Sequence, residues 1–369
     1  MNRNRLAFYV RRAIYIFIAW VVFAVGVFMY DYITLVSNNA LTSKYDFISS
    51  FTAYLVVAIC AGLTGGIFTV NLMEYWLRKY RFWVALLLIV FVYTVVAVLL
   101  GSLGALYLNG PEEGLPLFRQ EAILELPLFF SEALFLKNYV IWLILLVLTL
   151  IFLMVSERFG PGVFPNYLKG KYFQPKKESR IFMFSDIKGA TPIAEAMGEE
   201  KYFYFLKDFF KFISPAITEF KGEIYQYVGD EIVISWKLKK TKKRKDRSPN
   251  LKSLCCYYSM KKLIEKRADY FQETYGVVPE FKSGFHCGTA VVGEIGVIKR
   301  DIAFSGDVLN TAARIQSKCN ELGVGILASE SYRACIEPIP SKYEVLPQGN
   351  QALKGKQTEV SLVSFRNKN

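Results

Sequence analysis

The stretch GEIYQYVGDEIVISW, Gly222 to Trp236, decides how the rest of the chain is read. Two runs of β-branched and aromatic residues flank a Gly229-Asp230 pair, the sequence sign of a tight β-hairpin whose glycine accepts a positive φ. The turn carries a carboxylate at its tip. Upstream, the apolar run Arg180 to Phe184 reads as a strand and is followed by Ser185 and a second carboxylate, Asp186. Two acids held at two rigid strand ends can share hard cations such as Mg²⁺, and those cations can carry a nucleoside triphosphate.

The surrounding chain is of two kinds. Of 369 residues, 53% are hydrophobic, too many for an ordinary soluble enzyme. The excess sits before Arg158, and downstream the pattern is that of a globular domain of the usual size. The net charge is +13, of which Lys237 to Arg247, KLKKTKKRKDR, supplies +7. That run has no interleaved aromatics, so it reads as a solvated loop and not a nucleic-acid surface; anionic lipid headgroups are a second reading. Six cysteines show no CxxC spacing, and in a cytoplasmic domain they are reduced thiols. A single histidine, His286, leaves little material for a His-based metal cage or a Ser/His triad and reads as structural.

Four apolar runs precede the boundary: Ala13 to about Val36, Phe47 to Leu77, Phe82 to Leu108 and Tyr139 to Val155. About 20 helical residues cross a bilayer core, so they read as four transmembrane helices. Arg3, Arg5, Arg11 and Arg12 precede the first run, and Arg78, Lys79 and Arg81 separate the second from the third, whereas the 109–137 loop has five glutamates and two basic residues. By the positive-inside rule both termini are cytoplasmic, which predicts a multi-pass protein of the inner (plasma) membrane with its globular half in the cytoplasm. Gly62, Gly65 and Gly66 permit close helix packing. The spans hold few ionisable residues, which disfavours transport and favours anchoring, dimerisation or sensing, with an unidentified ligand of the membrane half left open. The domain reading is 1–156 transmembrane, 157–179 a Gly- and Pro-rich connector, and 180–369 catalytic.

In the globular half, Thr191 suits an N-cap, with Pro192 opening a helix to Met197. Such a helix start offers free N–H groups to phosphates. Helical patterns follow at Glu200 to Phe220 and Leu251 to Tyr275, strand-like runs at Phe281 to His286 and Thr289 to Ile295, and an amphipathic helix at Asp307 to Cys319 that places Asn310 and Arg314 on one face. A short strand at Ile326 to Ala328 and a final one at Glu359 to Phe365 complete a βαββαβ alternation, an α+β ferredoxin-like layer.

FSDIKGATPIAEAMG, GEIYQYVGDEIVISW, FHCGTAVVGEIG and FSGDVLNTAARIQ, in this order, resemble the catalytic domain of class III adenylate/guanylate cyclases over about 180–369. The FGPG…LKGKYFQP connector is similar to one in membrane-bound bacterial members. The resemblance implies that Asp186 and Asp230, with the backbone carbonyl of Ile187, bind two Mg²⁺ or Mn²⁺ ions. It implies that Asn310 orients the ribose, Arg314 neutralises charge in the transition state and Lys354 holds the terminal phosphates. In the family the metal acids come from one protomer and the Asn, Arg and Lys from the other, so this chain, carrying both sets, is expected to be a homodimer with two equivalent sites. Two positions set the purine in the family. Here they are Gln226 and Ala303, a departure from the usual Lys or Glu at the first and Asp, Thr or Cys at the second. Gln can donate to N1 of adenine, and no acid is present for guanine's N–H groups.

The expected function is therefore a membrane-anchored adenylate cyclase making 3′,5′-cyclic AMP and pyrophosphate from ATP. The enzymatic rival uses GTP, alone or with ATP. A rival of another class is a non-catalytic nucleotide-binding membrane receptor, against which the retained Asp186, Asp230, Asn310 and Arg314 count.

Overall fold

The computed structural model describes residues 3–41, 45–75, 82–108, 130, 133–159, 170–239, 248–298, 300–356 and 358–368. The chain divides into two compact units, Met1–Val155 and Ser156–Asn369. Most of the 109–137 segment, most of the basic 237–247 run and residues 160–169 of the connector lie outside the described residues.

The first unit contains helices α1 (Arg3–Ser37), α2 (Phe47–Tyr75), α3 (Phe82–Leu108) and α4 (Ala133–Phe159). Among the described residues, three segments are long and apolar enough to cross a bilayer: Val10–Ser37, Leu86–Leu103 and Phe135–Ser156. Of the four expected, α2 is counted only over Phe47–Leu63, a shorter apolar stretch. Two glycines of α2 serve contact. A Cβ on Gly65 would lie 2.6 Å from the Trp20 ring, and one on Gly66 would lie 2.8 Å from the Ala13 carbonyl oxygen. Only hydrogen fits, and that lets α1 and α2 touch backbone to backbone. Trp20, 3% exposed, is the hub of the unit. Its indole lies 5.9 Å from the Tyr93 ring and 5.7 Å from the Trp142 ring, and its N–H donates to Thr149 Oγ1 at 3.0 Å.

The second unit is built on one sheet of order β2-β3-β1-β4-β6-β8-β7, with β5 added alongside β4. Its strands are β1 (Lys176–Ile187), β2 (Glu223–Val228), β3 (Glu231–Lys237), β4 (Phe281–Ile295), β5 (Asp301–Ser305), β6 (Ile326–Ser329), β7 (Tyr343–Gln351) and β8 (Val360–Asn367). The helices are α5 (Ala190–Met197), α6 (Glu199–Glu219), α7 (Lys252–Glu265), α8 (Ala268–Tyr275), α9 (Asp307–Glu321) and α10 (Glu330–Cys335). The segment β1-α-β2-β3-α-β4, with β1 central and antiparallel to both β3 and β4, is the expected ferredoxin-like layer. Strand β1 alternates between two buried faces, which is why it reads as a continuous apolar run. Ile181 and Met183 join the core under α6, α7 and α8, and Phe182 and Phe184 join the smaller core under α9.

Four local expectations are corrected. The runs at 281–286 and 289–295 are one strand, because Gly288 does not break β4: lacking a side chain, it makes room for Val308 of α9. Thr191 is inside α5, and the cap is Gly189 at φ 65°, a left-handed turn that glycine takes without strain. The helix expected over 251–275 breaks at Lys266-Arg267, so that Phe271 of α8 packs edge-on against Phe205 and Phe212 of α6; burial overrides local propensity. Finally, β1 starts at Lys176, where Lys176 to Ser179 pair with Val292 to Thr289.

Candidate active site

Asp186 and Asp230 meet at the strand ends on one side of the sheet. Asp186 is the penultimate residue of β1, opposite Lys282 of β4. Asp230 occupies the turn between β2 and β3, where Val228 pairs with Glu231 across the two-residue loop and Gly229 supplies the positive φ of 59°. Burial, then a hydrogen bond with Asp186 and the Asp186 charge, push the Asp230 carboxyl up to about 6. Burial and the charges of both acids push Glu231 up to about 7, and burial with the same two charges raises Tyr202 to about 12.

Two further side chains hold Asp186. Lys282 Nζ lies 3.3 Å from its Oδ2, and Gln316 Nε2 of α9 donates to the same oxygen at 3.1 Å. Gln316 reaches the acid because Gly284 lets α9 lie directly on β4: a Cβ there would be 2.3 Å from the Gln316 backbone nitrogen. Sequence reasoning missed both. The signals were a lysine inside the apolar run FKSGFH and a glutamine on the buried stripe Val308, Thr311, Ala312, Ile315 and Cys319 of α9.

A pair of carboxylates in contact, one of them raised towards neutrality by burial and by its neighbour, is a donor set that a divalent cation fits: the metal removes the repulsion that a shared proton otherwise relieves. Among the described residues no three Asp, Glu, His or Cys side chains form a closed cage. The two acids, with a backbone oxygen such as that of Ile187 at the end of β1, are the groups that would hold such a cation.

The other expected site residues lie elsewhere on the unit. Asn310 is exposed and Arg314 half-buried on α9. At about 100° per residue, Gln316 sits roughly 120° around the helix from Asn310 and 160° from Arg314, so the face that grips Asp186 is not the face that carries those two. The Arg314 guanidinium lies over Gly355, where a Cβ would be 3.3 Å from Nη2, and this brings it beside the exposed Lys354. Gln226 is exposed on β2 just after a bulge at Tyr225. Tyr225 packs edge-on against Phe304 of β5 at 4.9 Å, and Ala303 of β5 pairs with Gly293. Thr191 is exposed on the first turn of α5.

His286 is structural, as expected: its Nδ1 shares a hydrogen bond with Ser329 Oγ at 2.7 Å, and burial, assisted by Lys356, pushes it down to about 4. All six cysteines are free thiols.

With this geometry established, comparison with known proteins gives the class. Residues 173–364 match the family described as adenylate and guanylate cyclase catalytic domain, and the chain belongs to that family. It is 32% identical over 214 residues to Adenylate cyclase 2 of Rhizobium meliloti (strain 1021), covering 58% of this chain and 57% of that one. It is 28% identical over 226 residues to an adenylate cyclase of Anabaena cylindrica, covering 57% and 42%. The match thus spans about half the length of these relatives. A solved bacterial light-regulated adenylyl cyclase shares the fold, with a TM-score of 0.52 at 15% identity over 64% of this chain and 66% of the other.

Proposed function

We propose that the protein is an adenylate cyclase anchored in the plasma membrane by its helical unit, acting as a homodimer on ATP with two Mg²⁺ or Mn²⁺ ions per site. The observation that carries the reading is the contact of Asp186 with Asp230 at the strand ends of a cyclase-family domain. The bound ions supply Lewis-acid activation of the ribose 3′-hydroxyl and charge neutralisation at the α-phosphate. The chain's own part is to hold them and the nucleotide. Asp186 and Asp230, with the Ile187 carbonyl, bind the metals, and Lys282 and Gln316 fix the Asp186 carboxylate. Asn310 orients the ribose, Arg314 meets the developing phosphoryl charge with its guanidinium fork, and Lys354 binds the terminal phosphates. Thr191 and the start of α5 lie on the phosphate side, and Gln226 and Ala303 face the base, with Gln226 donating to N1 of adenine.

The division of α9 supports the dimer. One face is committed to Asp186 of its own chain, so Asn310 and Arg314 serve the acids of a second copy. Val297 and Ile298, both almost fully exposed beyond β4, offer that copy an apolar contact. Four membrane passes, the fourth completed by α2, return the catalytic unit to the cytoplasm, and 157–179 connects the two. Regulation through the membrane unit fits this arrangement.

Incubation of the purified chain with ATP and with GTP, each with Mn²⁺, tests the reading. Cyclic AMP and pyrophosphate are the expected products, and dominant cyclic GMP overturns the substrate assignment. An Asp230→Ala protein that turns over at the unmodified rate removes the metal assignment.

A further inference from the structure

The helical unit holds a half-open cavity of about 350 Å³ walled by residues of all four helices. That is within the range of small-molecule sites and more than twice the roughly 150 Å³ that holds benzene. We infer that this cavity binds an uncharged amphiphile: an apolar body of about two fused rings carrying one O–H or N–H donor.

Three observations define the ligand class. The wall is dominated by rings and aliphatic groups, with Trp20 and Trp142 in contact at its base. The one carboxylate on the wall, Asp31, is already ion-paired with Lys137, so no charge is left to select an ionic ligand. Polar groups there that are bonded within the protein include the Trp20 indole N–H to Thr149, the Thr94 hydroxyl with that of Tyr139 at 2.8 Å, and the Tyr54 hydroxyl with Trp142. Asn138 Oδ1, on the wall and buried, has no hydrogen-bond partner. A buried polar atom without a partner costs about 1–3 kcal/mol, which a ligand donor placed against Asn138 Oδ1 recovers. The same chemistry selects against a plain hydrocarbon chain, which fills the volume and leaves the oxygen unpaired.

This inference is independent of the cyclase reading, because its test reads binding and not turnover. The full chain is placed in phosphatidylcholine nanodiscs, and uptake of 2-naphthol and of its O-methyl ether is measured by equilibrium dialysis against empty discs. The expected result is saturable binding of 2-naphthol that exceeds that of the ether by about tenfold, the weight of one buried hydrogen bond. Asn138→Leu is expected to level the two probes while retaining the ether, and Ala53→Phe, which fills the cavity from a buried wall position, to abolish both. Equal binding of naphthol and ether to the unmodified chain overturns the inference. So does binding in detergent that disappears in lipid discs, since it makes a lipid chain the occupant. If Ala53→Phe fails to give the helical circular dichroism of the parent, the Asn138→Leu comparison decides alone.

Discussion

Gln316 donates its side-chain amide to Asp186 Oδ2 at 3.1 Å, from a helix whose other face carries Asn310 and Arg314. The same helix therefore steadies one acid and carries, on its other face, the two side chains proposed to serve a second copy's acids. Removal of a group that orients a metal ligand commonly costs 10–100-fold in metal affinity. Gln316→Leu is expected to raise the Mn²⁺ concentration for half-maximal activity by about tenfold, with the unfolding midpoint little changed. An unaltered Mn²⁺ titration removes Gln316 from that role.

The two-sided helix also predicts complementation. Asp186→Asn and Arg314→Ala proteins are each expected to be inactive as homodimers. Mixed in equal amounts and allowed to exchange, half the dimers are mixed and each holds one intact site, so activity returns to about a quarter of the unmodified level. A mixture as inactive as its components excludes the shared site.

His286 sets a pH dependence of stability. Its folded value is lowered to about 4 from the ordinary 6.5, so below 6.5 the unfolded chain binds a proton that the folded chain refuses. Stability is complete above pH 6.5 and falls as pH drops towards 4, by a total of about 3 kcal/mol. His286→Gln is expected to flatten the thermal midpoint of the globular unit across that window. A slope equal to that of the parent assigns the acid sensitivity to other groups.

Arg180 is fully buried and its guanidinium is boxed by Glu178 at 2.8 Å, Glu223 at 2.6 Å and the Phe304 ring at 4.6 Å. Truncating one partner of such a set strands the others, at about 3–5 kcal/mol. Arg180→Ala is expected to lower the denaturant midpoint accordingly, while the Glu178→Gln change, which keeps an acceptor, costs less. Equal small losses for both indicate that the set is solvated.

The periodicity of the chain made the main frame legible. Strand β1, the Gly229-Asp230 hairpin and α9 carry strong local patterns, and their acids, Asn310 and Arg314 could be picked out before any contact was known. What stayed hidden depends on tertiary approach. Gly284 reads as a weak point in a strand until α9 is seen resting on it, and only then does Gln316 meet Asp186. The break at Lys266-Arg267 has no glycine or proline to announce it. Strand β7, of sequence YEVLPQGNQ, is polar and interrupted by a bulge at Gln348, and so gave no alternation to read.

Strand β4 runs unbroken for 15 residues, from Phe281 to Ile295. At roughly 3.3 Å per residue it is a beam of about 50 Å, with Lys282 at its root and the apolar tip at Val297-Ile298 just beyond its far end. A beam clamped along its length by β1 has no elbow at which displacement can be absorbed. The exposed tip and the lysine that touches Asp186 are therefore joined by one unbroken strand.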